Sequence, residues 1–310
     1  KRTNPFLALS SAAMSLPGLA ASQPVETIIS VKASSYKEED ISSQAVISGA
    51  NSRYDIDIGQ FRVVAPVGDA WSVDVGIAQE TMSGASPWAT ILGINGEPGL
   101  IMSGATIRDS RTEVDMTVTH HGQARSISLG ISRSDEDDYE AEAVNISGAW
   151  DFNNKLSTLS LGFSYSSDDL SPTDALAFGR VSEADKRTRS FAASYSQVLN
   201  KYSAMSAGLS VTKHDGFLTD PYKLRDVRPD KRTEWALSLR YRRFFDNRNA
   251  ALHLDYRYFN DDWGIDSHTI HTAWYQSIGA RYQFVPNIRF YSQREADFYL
   301  AVDDFTLPLT

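Results

Sequence analysis

Six charged residues in the last third of the chain are the side chains best placed to act on a solute: Glu234, Arg240, Arg242, Asp255, Arg257 and Arg281. In Thr233–Phe245, Trp235, Leu237, Leu239 and Tyr241 point one way, while Glu234, Ala236, Ser238, Arg240 and Arg242 point the other. Side chains of an extended strand alternate across its plane, so the charges share one face and the large apolar groups share the opposite one. Guanidinium and carboxylate groups on the inner face of a barrel line a passage and set which ions enter it. The same groups equally suit an internal salt-bridge network that holds the barrel wall or a plug in place. Both readings stand at this level.

Other reactive residue types form no constellation. The run Asp135, Glu136, Asp137, Asp138 and Glu140 offers oxygen ligands for Ca²⁺, but it lacks the spacing and glycine of a calcium loop and reads as a solvated outer loop. His120 and His121 are adjacent and so face opposite sides of a strand; His268 and His271 do likewise, which removes both pairs as metal chelates. Serine and histidine are present, yet no motif surrounds them in the pattern of a nucleophilic triad. The glycine-rich stretch Gly93–Gly104 contains neither a dinucleotide fingerprint nor a phosphate loop. With no Cys in the chain, disulfides and thiolate chemistry are excluded, and a net charge of −9 argues against a nucleic-acid partner. The expectation is a non-enzyme with no cofactor, no metal and no catalytic residue.

The elements that position the charges repeat one pattern. The first strand is read at 27–36, with Ile29, Val31 and Ala33 on one face. The second starts near Arg53 with Tyr54, Ile56 and Ile58 outward and a phase slip, as at a β-bulge, near Gly59–Phe61. Trp71, Val73, Val75 and Ile77 make the third, followed by a glycine-rich loop over 83–110. Later strands carry Val114–Val118, Ile127–Ile131, Val144–Trp150, Leu159–Tyr165, Phe191–Tyr195 and Met205–Val211, each backed by Ser, Gly, Ala or other polar residues. Two further strands lie at 252–258 and 267–284, and the thirteenth at 288–297. Short connections alternate with longer ones. This predicts an all-β chain, an antiparallel transmembrane outer-membrane β-barrel with about 13 visible strands, and about 14–16 in an intact barrel, because bacterial barrels close with an even number. The segment 302–310 reads as a loop, so the closing strand is expected to be missing. The inner face divides into a Ser/Gly/Ala side near 126–132, 157–166 and 203–212 and an arginine-rich side on the later strands.

No window approaches the roughly 20 consecutive apolar residues of a membrane helix, which does not count against a barrel. Aromatic residues make up 11% of the chain, many at strand ends where interfacial girdles sit. The start of the chain reads separately: Lys1 and Arg2 precede the apolar Phe6–Leu16 and the small-residue end Gly18-Leu19-Ala20, as in an export signal. Residues 1–21 are therefore expected to be a signal peptide, or else a retained plug or anchor, and residues 22–310 the barrel.

With Ser15-Leu16-Pro17-Gly18-Leu19-Ala20-Ala21 leading to Val31–Asp40 and its Tyr36-Lys37-Glu38-Glu39-Asp40, the chain resembles a proteobacterial and Bacteroidetes outer-membrane barrel family known as a domain of unknown function. The likeness covers most of the chain. Members of that family are encoded beside a thioredoxin-like protein, a small lipoprotein and a flavin transferase. The resemblance therefore implies a place in the outer membrane among envelope redox proteins, and assigns no functional residue. The expected function is a channel or sheath for a small solute or a partner segment. The expected partners are outer-membrane lipids and a periplasmic or lipoprotein redox partner at the lumen. The alternatives are a plugged barrel that serves as an assembly scaffold and, more remotely, an outer-membrane enzyme.

Overall fold

A computed structural model describes residues 23–103, 107–223, 225–279 and 281–306. The proposed signal or plug at 1–21 lies outside the described residues. The chain is all-β. Its strands in order are β1 (Ile28–Lys37), β2 (Val46–Ser48), β3 (Asp55–Val67), β4 (Trp71–Gly84), β5 (Pro87–Leu92), β6 (Pro98–Met102), β7 (Ile107–His121), β8 (Arg125–Asp135) and β9 (Tyr139–Phe152). There follow β10 (Ser157–Leu170), β11 (Ala184–Asn200), β12 (Ser203–Gly216), β13 (Lys231–Phe245), β14 (Ala250–Asp261), β15 (Asp266–Ile278), β16 (Tyr282–Phe284) and β17 (Asn287–Gln293). One antiparallel sheet of 14 strands takes all of them except β2, β5 and β6, each long strand pairing with its neighbour in the chain. β16 and β17 both pair with β15, one beyond the other, so they act as a single strand interrupted at Val285-Pro286.

Alternation gives the sheet two unlike faces. On the outer face Ile29, Phe61, Ile77, Met116, Leu129, Ile146, Phe163, Phe191, Leu209, Leu237, Leu254, Ile270 and Phe290 are all exposed. A band of large apolar side chains thus runs along the whole sheet, which water alone would not favour. The inner face curls around a cavity of about 1640 Å³ to which strands from β10 through β15 contribute. Strands of 14 residues, such as β10, reach roughly 46 Å at about 3.3 Å per residue, well beyond an apolar band about 25 Å tall. The excess is polar: Ser166–Asp169 and Asp185–Arg189 continue the β10–β11 ladder although nothing apolar marks them.

Most connections fall as the sequence predicts. Tight turns at one end include 153–156, where Asn153, Asn154 and Lys155 all take positive φ, and 246–249. At the other end lie the long connections 38–54, 85–106, 171–183 and 217–230. Three expectations change. β3 has no bulge: its register runs unbroken against β1 and β4, so Ile56 and Ile58 share the inner face with Gln60 and Arg62 instead of pointing outward. The bidentate pair of Arg62 with Asp74 (2.7 and 2.5 Å) fixes that register, and Ile56 lies opposite Tyr36 and Met82. The loop 83–110 contains the β5–β6 hairpin, which joins β2 in a small three-stranded sheet. The strand read as 267–284 ends at Ile278 and turns back at 279–281.

Among the described residues β1 pairs only with β3, and β16–β17 only with β15, so the sheet is not closed by hydrogen bonds. With thirteen rows of strand the two edges run in the same direction. A strap formed by residues 294–306 ties the flanks at the long-loop end instead. The Asp297 amide donates to the Trp263 carbonyl (2.9 Å), and the Asp303 amide donates to that of Thr90 in β5 (2.7 Å). Phe298 packs edge-on against Trp263 at 5.2 Å, and Arg225 Nε lies 3.0 Å from Asp303 Oδ2.

The anchor of the strap is the turn 262–265. Asp261, 5% exposed, accepts from Arg232 Nε (2.9 Å) and Nη2 (2.6 Å) and from the amides of Trp263 (3.0 Å) and Ile265 (2.8 Å). Gly264 has φ +83°, and a Cβ there would lie 2.2 Å from Asp297 Oδ1. Removing the Asp261 carboxylate takes one of two carboxylates from the partly buried Arg232 guanidinium and leaves the Trp263 and Ile265 amides without their acceptor. Asp261→Ala is expected to destabilise the fold by about 3 kcal/mol, at the lower end of the range for breaking a buried pair, since Arg232 keeps Glu234. Urea titration of the detergent-solubilised protein, followed by tryptophan fluorescence, checks this.

Candidate functional site

The cavity wall is built from the period-two positions of β11 to β15. On one side β11 and β12 present Ser190, Ala192, Ser194, Ser206, Gly208 and Ser210. Small residues here let the wall recede, and Gly208 is held small because a Cβ would come within 2.8 Å of Ser238 Oγ. On the other side β13 and β14 present Glu234, Arg240, Arg242, Asp255 and Arg257, all lining the cavity. The division into a small-residue side and an arginine side therefore corresponds to neighbouring strands of one wall.

The structure sorts these charges into pairs and leftovers. Arg242 Nη2 sits 2.7 Å from Asp255 Oδ1, and its Nη1 donates to the Tyr241 and Leu254 carbonyls at 3.0 and 3.2 Å. His271 Nδ1 lies 3.7 Å from the other oxygen of Asp255. Glu234 belongs to a different network: Arg232 Nη1 is 2.8 Å from Glu234 Oε1, His214 Nε2 is 3.7 Å from the same oxygen, and Thr188 Oγ1 is 3.0 Å from His214 Nδ1. Arg232 in turn holds Asp261. These groups stiffen the wall. Arg240 and Arg257 have no ion pair among the described residues; Arg257 lies over the Phe259 ring at 5.5 Å. Arg281 does not join the set. It lies exposed in the 279–281 turn at the short-turn end, because β15 ends before the sequence pattern does.

Several inner-face charges were missed by reading the later strands alone. Arg111 Nη2 and Nη1 reach Glu80 (3.1 Å) and Glu113 (2.9 Å), and Lys186 pairs with Asp168 at 2.8 Å while Tyr139 and Ser166 also donate to that carboxylate. The signal was there: Arg111, Glu113 and Asp115 alternate with Val114 and Met116 as Arg240 and Arg242 alternate with Leu239 and Tyr241.

The acidic run does not form a free loop. Only 136–138 connect β8 to β9, closed by a Glu136 amide to Tyr139 carbonyl bond of 2.8 Å. Asp135 and Glu140 both engage Arg133, at 2.9 and 3.1 Å. Glu136 and Asp138 instead turn to the cavity, where their carboxylate oxygens and that of Asp109 converge within 4.8 Å. An all-carboxylate set suits a hard cation. Here protons and hydrogen bonds already serve it: Tyr222 donates to Asp138, and Glu136 is pushed up to about 7, first by burial and then by the Asp109 charge, against the pull of Arg111.

A carboxyl raised in this way is protonated in the fold while the same group in the unfolded chain ionises near its ordinary value. The fold then binds the extra proton, so stability falls as pH climbs from about 4.5 to about 7, and the loss is complete above that. The 136–139 hairpin is expected to exchange its amides faster at pH 8 than at pH 5, after correction for intrinsic rates. Glu136→Gln should flatten that difference in a hydrogen-exchange experiment.

The comparisons with known proteins come to three findings. The family model described as "Protein of unknown function (DUF3570)" matches residues 6–305. No curated protein matches the chain. Among solved structures, the ferric yersiniabactin uptake receptor FyuA from Yersinia pestis superposes with a TM-score of 0.45 and 9% sequence identity; the alignment covers 87% of this chain and 57% of that one, so the chain spans little more than half the receptor's length.

Proposed function

The chain belongs to the DUF3570 family, and we propose that it is an outer-membrane β-barrel of a Gram-negative cell, acting as a channel or sheath for a small solute. The observation that carries this reading is the inversion of the sheet. Its large apolar residues stand exposed on the outer face of every long strand, while serines, glycines and paired charges face a cavity of about 1640 Å³. In water that arrangement wastes apolar surface. In a bilayer the outer band meets hydrocarbon, and between the two edges of the sheet the antiparallel ladder satisfies the backbone without help from solvent.

The mechanism is passive. No step of bond making is required; the wall holds its shape through the Arg242–Asp255 and Arg232–Glu234–Asp261 networks, and the inner face sets what fits. A second reading is a plugged barrel that serves as a scaffold for an envelope redox or lipoprotein assembly. What favours it is the strap 294–306, which crosses from the Trp263 turn to β5 at the long-loop end and lines the cavity there with Ala296, Phe298 and Tyr299.

Two measurements test these readings. The protein is expected in the detergent-soluble fraction of outer membranes, with a gel band that shifts on heating. Release into buffer without detergent would overturn the membrane reading. Reconstituted into planar bilayers, a channel gives stepwise current; a folded barrel that passes none would instead support the scaffold.

A further inference from the structure

We propose that Arg240 and Arg257 form a binding site for a small oxyanion on the β13–β14 wall of the cavity. The proposal deepens the channel reading and rests on it only in that the cavity must be open to solutes. Among the described residues these two guanidinium groups are left over after the inner-face carboxylates near them are taken. Asp255 stands directly across from Arg240 in the register, yet it gives one oxygen to Arg242 at 2.7 Å and turns the other towards His271 at 3.7 Å. Glu234 is held by Arg232 at 2.8 Å. The partners across from Arg257 are Ser238 and Thr269, neither of which carries charge.

Position makes the surplus significant. Arg257 pairs with Ser238, two residues from Arg240, so the two arginines occupy diagonal positions of adjacent strands, whose backbones lie roughly 7–8 Å apart there, within reach of one another for long side chains. Like charges within such reach repel, and an anion between them relieves the repulsion. Guanidinium groups bind oxyanions through paired N–H donors of fixed geometry, which ammonium groups lack. The hydroxyls of Ser206, Ser238 and Thr269 are the cross-strand neighbours and line the same cavity, so they add neutral donors around the space. The chain as a whole carries −9, so this cationic spot is no reflection of overall composition. The ligand chemistry is that of a phosphate or carboxylate small enough to enter the cavity.

The test uses the full chain in detergent and inorganic phosphate as the probe, read by isothermal titration. Wild type is expected to bind, and Arg240→Ser/Arg257→Ser to weaken binding at least tenfold. Arg243→Ser, on the outer face, should bind as wild type. Arg240→Lys with Arg257→Lys keeps the charge and loses the paired donors, and an intermediate affinity is expected. The heat-dependent gel shift confirms that each variant folds; should the double serine variant fail to fold, Arg257→Gln alone carries the comparison. No phosphate binding by wild type, or equal binding by the folded arginine variants, overturns the site. In bilayers under a salt gradient, wild type should favour anions and the double variant should lose at least threefold in anion-to-cation permeability ratio. Current with an unchanged ratio overturns the oxyanion site and leaves the channel. Phosphate binding without current does the reverse.

Discussion

Everything in this protein depends on the continuity of the antiparallel ladder. Each long strand hands its backbone N–H and C=O groups to the next, from β1 through β15, with the register of nearly every pair unbroken. An unpaired backbone group in an apolar surround costs several kcal/mol, so a sheet with an apolar outer face tolerates few gaps. The ladder also fixes side-chain direction. Once neighbours are in register, every second residue is committed to the outer band and the rest to the cavity, and a slip of one residue would exchange the two faces. The edges are where this arrangement is weakest. β1 and β17 carry exposed Ile29, Val31, Ile288 and Phe290 beside backbone that no described strand pairs, and the strap 294–306 holds the flanks together at one end only.

The inner face follows a second rule, which is that most of its charge is neutralised locally. Arg62 takes Asp74, Arg111 takes Glu80 and Glu113, Lys186 takes Asp168, Arg232 takes Asp261 and Glu234, and Arg242 takes Asp255. Each pair spans two strands or lies within one, so the same contacts that neutralise the wall also pin its register. Arg240 and Arg257, which make no ion pair among the described residues, sit on adjacent strands beside a wall of serine and glycine. Crowded carboxylates at the long-loop end, Asp109, Glu136 and Asp138, relieve themselves differently, by holding a proton and by accepting from Tyr222.

Much of this was legible beforehand. The strands with aromatic or aliphatic residues at every second position, such as β10, β12, β13 and β14, fall where the alternation puts them, as do the tight turns at 153–156, 201–202 and 246–249. Among the described residues the rows of strand number thirteen, the number the alternation predicts. What escaped was structure that does not need apolar side chains. The polar half of β11 (Ala184–Ser190) is strand because Lys186 and Thr188 pair with Asp168 and Ser166, and the β5–β6 hairpin hides in a stretch whose Asn95-Gly96 turn signal lay among many glycines. β3 needs no slip, because its isoleucines at even positions share the inner face with Gln60 and Arg62. Ile56 and Ile58 lie on the inner face, Ile56 opposite Tyr36 and Met82 and Ile58 opposite Ser34 and Glu80.

For the candidate site, the sequence alone determined the face: period two is a local property of the extended backbone, and it put Glu234, Arg240, Arg242, Asp255 and Arg257 on the inner wall without knowledge of any neighbour. Only the tertiary structure decided which of them are partners. Whether Asp255 meets Arg240 or Arg242 depends on cross-strand register and side-chain reach, and whether Arg281 joins them depends on where β15 turns back. Those are relations between strands, set by pairing energies summed along the ladder, and no single strand carries them in its own residues.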